Sequence, residues 1–258
     1  MKPAYSAFWG LYVREILRTF RNPFVLIITV VQPFMWLAFF GSSFSLLPAS
    51  ELEALFGASN YIQFLLPGVL STSMLTVGMF GSMSTIQDKR FGFMKRILIT
   101  PTSKGTVFVT KALGSASRGL VQFPIMIGAA LAFGVTFHVV WWEWFVWIFA
   151  LMLLATGFCS LFLAITARST DWQTPGVVSN FITMPLMFSS AALFGSSHFP
   201  AWMQAISNVN PITFTALLGR SFVLGTATDW SYLGYLALFA VVMLAIGYFV
   251  SSRWLRVE

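Results

Sequence analysis

The chain has 258 residues, of which 57% are hydrophobic and only 9% charged, and its net charge is +7. A soluble domain carries about 25% charged residues, so a water-soluble globule is excluded and most of the chain must sit in lipid; the mean hydropathy of +0.81 agrees. Cys159 stands alone, which excludes an internal disulfide framework.

The N-terminal stretch SAFWGLYVREILRTFRNP is amphipathic. Phe8, Tyr12, Ile16 and Phe20 share one helical face, and Arg14, Arg18 and Arg21 share another at i, i+4, i+7 spacing. The pattern predicts a helix over residues 5–21 lying at the membrane interface, apolar side down. Asn22-Pro23 ends it, because proline disfavours helical geometry in the preceding residue. No small-residue cleavage site follows the first apolar run, so no signal peptide is expected.

Six apolar segments follow: 24–46, 61–86, a third ending near 140, 144–167, 177–194 and 232–250. Each approaches the ~20 residues that span the hydrocarbon core. Backbone groups in lipid must be satisfied internally, and no period-2 alternation is present, so the expected fold class is an all-α membrane protein with six transmembrane helices. Lys2, Arg14, Arg18, Arg21, Lys89, Arg90, Lys95, Arg96, Lys104, Arg168, Arg253 and Arg256 then fall on one side. The other side holds Arg220 against Glu51, Glu53, Glu143 and Asp229. This asymmetry predicts both termini in the cytoplasm. The basic residues flank spans and form no continuous solvated face, which argues against nucleic acid as the partner.

Lys104, Lys111 and Arg118 recur every seven residues and form one stripe on the third helix. Arg118 would lie ~21 Å along that helix from Lys104. Two placements fit: the stripe faces the bundle, as ionisable groups inside a membrane usually do, or the helix begins at the surface and Arg118 reaches the headgroups. Between the fifth and sixth spans, 200–206 and 211–224 are short apolar pieces that each open on proline. Neither is long enough to cross, which predicts re-entrant outer helices within 196–229, with Arg220 against protein or at the headgroups. His198 and His138, with no Cys or carboxylate cluster, do not make a metal site.

No GxxxxGK[ST] loop, catalytic triad or mid-span carboxylate pair is evident, so neither ATP binding by a phosphate loop nor ion coupling is expected from this chain. Energy must then enter through a contact. The segment QDKRFGFMKRILITPTSK, residues 87–104, is too charged to cross and too apolar for a plain loop. Gln87 to Arg90 can start a short helix with Asp88 near its positive end. Phe91, Met94 and Leu98 then share a face at i, i+3, i+7, Lys95 and Arg96 form its rim, and Thr100-Pro101 stops it. Such a helix fits a groove on a partner protein or an anionic lipid surface.

Four stretches in this order, RNPFVLIITVVQPFMW, FLLPGVLSTSM, the 87–120 segment and FPAWMQAISNVNPITFTALLGR, make the chain resemble ABC-2-type transporter permeases. These are the membrane subunits of ATP-driven exporters related to drug-resistance and polysaccharide-export permeases. The resemblance implies one ABC-2-type transmembrane domain over 1–258 and a coupling helix over 88–101 docked on a separate ATPase subunit. Asp88, Arg90, Phe91, Met94, Lys95, Arg96, Leu98 and Pro101 would make that contact. It implies a connecting helix carrying Arg14, Arg18 and Arg21, and pathway or gating roles for Arg118, Asn210, Pro211 and Arg220. This chain would hold no cofactor; ATP and Mg would belong to the ATPase. A second copy and membrane lipid are the other implied partners, in the inner membrane of a prokaryote. Met94-Lys95-Arg96 departs from the family in being purely basic, which implies a more acidic partner groove. An amphipathic, drug-like or lipid-linked cargo is expected. An ion-coupled carrier or channel and a non-transporting scaffold are the competing readings.

Overall fold

The structure, a computed structural model, describes residues 2–21, 23–44, 47–58, 60–93, 96, 102–166, 173–196 and 199–254. Among them eleven helices run in chain order: α1 (Lys2–Phe20), α2 (Pro23–Phe44), α3 (Ala49–Phe56), α4 (Tyr61–Arg90), α5 (Lys104–Gly119), α6 (Gln122–Ala132), α7 (Trp141–Thr166), α8 (Gln173–Phe188), α9 (Ala201–Ser207), α10 (Pro211–Leu224) and α11 (Ser231–Trp254). No strand occurs among the described residues. By length and composition, Leu26–Phe44, α4, Trp141–Thr166 and Ser231–Ser251 can each cross a membrane, while Gly176–Phe188 and Pro211–Leu224 are shorter apolar helices.

α4 is the hub. It packs against α2, α5, α6, α7, α8 and α10, and α7 in turn packs against α11. Leu65, Leu66, Leu70, Trp147, Leu151, Phe158 and Phe222 are fully buried where these helices meet. In lipid this burial gains little from the hydrophobic effect, since the tails are as apolar as leucine; close approach and hydrogen bonds must hold the helices together. Gly68 shows how close: a Cβ there would lie 1.8 Å from the Ala192 carbonyl oxygen. Hydroxyls inside α4 satisfy themselves by bonding back to its own carbonyls, as Ser71 does to Pro67 O (2.7 Å) and Ser73 to Leu70 O (2.7 Å). The outer faces of α2, α8 and α11 carry exposed Phe24, Val31, Phe39, Phe181, Phe188, Leu238 and Phe249, as a lipid-facing surface would.

Two expectations need correction, and one element is new. The third apolar segment is not one helix ending near 140. It is α5 and α6, broken at Leu120–Val121 and finished at Ala132, with chain of no regular structure over 135–140. Pro124 explains the break: lacking an N–H, it cannot close a helical bond to Leu120, four residues back. Three-residue-spaced bonds from Leu120, Val121 and Phe123 to Ser117, Arg118 and Leu120 carry the backbone through the break. The second span does not stop at 86; Gln87 to Arg90 close α4 instead of opening a new helix. Finally, α3 is an extra helix between the first two spans, ended by Gly57 in the left-handed conformation.

Candidate functional site: a basic elbow rooted in buried ion pairs

α4 ends in a turn set by Gly92, whose φ of +69° lies in the left-handed region open to glycine. The Phe91 N–H donates to Gln87 O (2.9 Å) and the Gly92 N–H to Lys89 O (3.1 Å), satisfying the last carbonyls of the helix. The chain then re-enters helical geometry at Phe93 and Arg96, where the Arg96 N–H donates to Gly92 O (3.3 Å). Arg90, Phe91 and Arg96 are exposed, and Phe91 presents 80% of its surface. Met94 and Leu98, expected on one face with Phe91, together with Lys95 of the expected rim and Pro101 of the expected stop, lie outside the described residues. Phe91 itself caps α4 and does not begin the next helix, so the predicted i, i+3, i+7 face does not start there.

The root of the elbow is a set of buried charges. Glu15, Asp88 and Lys111, from α1, α4 and α5, are each almost sealed from solvent. Lys111 Nζ donates to Asp88 Oδ2 (2.5 Å) and to Glu15 Oε1 (3.2 Å). Arg118 Nη2 donates to Glu15 Oε2 (2.7 Å). From the rim, Arg14 Nη2 and Arg18 Nη1 donate to Asp88 Oδ1 at 2.9 and 3.1 Å, and Arg18 Nη2 also bonds Gln87 Oε1. Tyr12 and Ser117 share a hydrogen bond (2.7 Å) one turn away. Arg14 also covers the ring of Phe93, its guanidinium carbon 3.6 Å from the centroid. Arg14 thereby clamps the elbow to α1 and to the end of α4 at once.

Asp88, expected among the docking residues, is 4% exposed and wholly engaged by cations of its own chain. On α1, Arg14 and Arg18 reach Asp88 with 30% and 31% of their side chains still open, while Tyr5, Trp9, Leu17 and Phe20 are exposed. Arg21 is exposed as well. The physical reason is one of counter-charge: two carboxylates buried in a lipid-borne chain demand cations, and α1 supplies them. In the Lys104–Lys111–Arg118 stripe, Lys111 and Arg118 are turned to Glu15 on α1.

Glu15 was given no role by the sequence beyond being an acid on the cytoplasmic side. The available signal was a lone acid between Arg14 and Arg18 in a chain almost free of charge. Its carboxyl is pulled both ways. Burial pushes its pKa up, Lys111 and Arg118 pull it down, and the net position is below the ordinary 4.5.

At the far end of α4, the outer residues form a second knot. Asn210 caps α10 by accepting from the Ile212 N–H (3.0 Å), with Pro211 in the first turn. The Asn210 amide also donates to Leu186 O (2.7 Å) and Ser189 Oγ (3.3 Å) at the end of α8. Arg220 is buried against protein. Its Nε donates to Phe64 O (2.9 Å), its Nη2 to Ala192 O (2.7 Å), and its guanidinium carbon lies 3.5 Å from the centre of the Phe64 ring. Asn210 holds the end of α8 and Arg220 holds Phe64 and Ala192, while Arg118 pairs with Glu15 and takes no part in this knot.

Residues 6–221 match the model of the family described as ABC-2 type transporter. The chain is 31% identical over 210 residues to a putative transport permease, ycf38, of Cyanophora paradoxa, covering 80% of this chain and 70% of that one. It is 26% identical over 215 residues to the daunorubicin resistance ABC transporter permease protein DrrB1 of Streptomyces coeruleorubidus (81% and 71% covered). To the inner membrane transport permease YadH of Escherichia coli K12 it is 23% identical over 211 residues (81% and 80% covered). With an all-helical chain of several apolar helices and a family match over most of its length, the protein belongs to the ABC-2 type transporter family and is a membrane transport permease.

Proposed function

We propose that the chain is the permease subunit of an ATP-driven exporter in a prokaryotic inner membrane. Six crossings are made by α2, α4, the α5–α6 pair, α7, α8 and α11, with α9 and α10 dipping in and out between the last two. Both termini lie in the cytoplasm. Two copies pair around a pathway, and the elbow at Arg90, Phe91 and Arg96 docks in a groove of a separate ATPase subunit, with Met94, Lys95 and Leu98 completing the contact. The observation that carries this is the pairing of an exposed Phe91 with a buried root: a ring held out on a rigid stem suits a push from a partner. When the ATPase closes on ATP, the displaced elbow carries α1, α4 and α5 with it, because the ion pairs bind those three helices into one body. The cargo is amphipathic, drug-like or lipid-linked, in keeping with the resistance role in the name of the Streptomyces relative.

Co-purification with the ATPase tests the reading. Phe91→Ala is expected to cut permease-dependent ATPase stimulation at least about tenfold, as loss of an aromatic anchor does, and to leave the permease folded. Stimulation and assembly unchanged by Phe91→Ala and Arg90→Ala together would overturn the docking assignment. A second reading, an ion-coupled carrier, draws on the buried Glu15 and Asp88. Both carboxylates are already neutralised by cations, which leaves neither poised to take up a proton. Gradient-driven uptake by the lone chain in liposomes would favour this second reading.

A further inference from the structure

Two adjoining rows of side chains run along α1. Gly10, Arg14, Arg18 and Arg21 stand in one, at i, i+4, i+8 and i+11, and Trp9, Val13, Leu17 and Phe20 stand in the next at the same spacing. An open groove of ≈ 540 Å³ follows them, lined among the described residues by Gly10, Val13, Arg14, Leu17, Arg18 and Arg21. Gly10 leaves it room, since a Cβ there would meet nothing within 4 Å. The charges behind the groove do not balance. Arg14, Arg18, Lys111 and Arg118 are four cations to the two carboxylates of Glu15 and Asp88. Arg21, exposed at the end of the row, adds a fifth and forms no ion pair among the described residues. Arg14, Arg18 and Arg21 all line the groove, so the surplus is on its wall. In the apolar row Trp9, Leu17 and Phe20 are exposed, and exposed apolar side chains continue through Phe24 and Ile27 to Val31 of α2, the lipid-facing surface. The groove thus asks for an anion on one edge and for hydrocarbon on the other.

We infer that this groove holds the headgroup of an anionic phospholipid, its phosphate bonded by Arg14, Arg18 and Arg21 and an acyl chain laid along Trp9, Leu17 and Phe20. The inference rests on the proposed placement of α1 at the cytoplasmic face, where anionic lipid meets clusters of basic residues. Guanidinium groups grip a phosphate by parallel N–H···O bonds. A choline lipid carries the same phosphate but brings its own cation, which these arginines repel. The bound headgroup offsets the surplus charge beside Asp88. It also fastens α1, and through the ion pairs α4 and α5, at the level of the lipid phosphates.

The test needs no transport. The delipidated chain in detergent micelles is titrated with phosphatidylglycerol or phosphatidylcholine bearing a dibrominated acyl chain, which quenches nearby tryptophan. Subtracting the same titration of Trp9→Phe isolates Trp9 from the other tryptophans. Half-quenching of Trp9 is expected at about a fivefold lower mole fraction of phosphatidylglycerol than of phosphatidylcholine, the preference that one basic residue near a membrane surface provides. Arg21→Gln, which breaks no ion pair, and Gly10→Glu, which sets a carboxylate in the open space of the groove, are each expected to bring the two lipids within about twofold. Arg96→Gln makes the same change in net charge as Arg21→Gln at an exposed residue that does not line the groove, and should keep the preference. Equal quenching by both lipids overturns the inference, as does a preference that survives Arg21→Gln or Gly10→Glu, or one that Arg96→Gln also erases. Should Arg21→Gln fail to fold, Gly10→Glu decides alone. Inorganic phosphate that removes the preference where chloride of equal ionic strength does not would make the groove a site for free anions and overturn the lipid assignment. No lipid preference, together with loss of the ATPase from Arg21→Gln in co-purification, would give the groove to the ATPase instead. An ATPase response unchanged by Phe91→Ala would leave the lipid preference standing, and loss of the preference would leave the docking elbow standing, so the two readings fail separately.

Discussion

Lys111 sits between two carboxylates with only 5% of its side chain open to solvent. Isolated, a buried ammonium costs several kcal/mol, and its attraction to Glu15 and Asp88 offsets that only while both partners remain charged and bonded. Glu15→Ala strips Lys111 and Arg118 of one carboxylate and is expected to destabilise the protein by about 3–5 kcal/mol. The doubly substituted Glu15→Gln/Lys111→Met chain should lose less than the two single changes added together. Unfolding of the purified chain by increasing SDS in mixed micelles measures all four corners of that cycle. The pH dependence follows from the depressed Glu15 carboxyl. A group whose folded pKa lies below its unfolded value contributes stability above the unfolded value, here 4.5, and loses it as the pH falls through the folded one. Melting temperature should therefore hold steady above about pH 5 as far as Glu15 is concerned and drop on further acidification. In Glu15→Gln that component of the drop should vanish. The Lys104–Lys111–Arg118 stripe was legible in the sequence because its spacing is local. Its partner on α1 was not, because nothing in residues about a hundred positions apart announces that they meet.

Among the elements, α4 is where local sequence rules read best and mislead once. The apolar run and the Asn60 cap, which accepts from the Ile62 N–H (2.9 Å), fix its start. Its end was misplaced because Gln87-Asp88-Lys89-Arg90 reads as a fresh polar start. The true stop signal is Gly92, which supplies the left-handed turn that aims Phe91 outward. Gly92→Ala has free space around its Cβ, so the change acts only through the backbone and costs about 1 kcal/mol in αL geometry. Its expected effect is a re-aimed elbow: partner-stimulated ATPase falls while the melting temperature shifts little. Gly68→Ala acts oppositely. The new methyl would strike the Ala192 carbonyl, which belongs to the backbone and cannot swing aside, so α4 and the turn after α8 must separate. Destabilisation of more than about 2 kcal/mol is expected from that overpacking. Gly128→Ala on α6, where nothing lies within 4 Å, should be neutral or slightly stabilising. The same SDS titration ranks the three. The break between α5 and α6 was also readable in principle, from Pro124, but apolar composition continues across it and hides the turn.

At the scale of the whole molecule, the two knots sit at opposite ends of one rod. α4 has 30 residues, about 45 Å of helix, with the ion pairs at its last turn and Arg220 near its first. Between them, Pro67 removes the bond that Gln63 O would accept, which makes that turn the weakest in the rod. Arg220 donates to Phe64 O beside the gap and to Ala192 O across from it, and among the described residues it forms no ion pair. A guanidinium buried with carbonyls and an aromatic face as its partners is costly to hold, and here it braces a helix that proline has weakened. The length and the apolar runs made most of the spans legible, but not this brace, since the sequence offers Arg220 no charged partner to point at. If Arg220 stiffens the rod, Arg220→Met should speed amide exchange around residues 64–72 by at least tenfold and leave exchange around residues 84–90, near the ion pairs, unchanged. Hydrogen exchange of the detergent-solubilised chain, followed by mass spectrometry, reads both ends at once. In the complex with the ATPase the same substitution should weaken the dependence of stimulation on cargo while leaving assembly intact, because a slack rod still docks but no longer carries the far end with it. Equal exchange at residues 64–72 in both chains would show that α4 is rigid without Arg220 and that the arginine only fastens α10 in place.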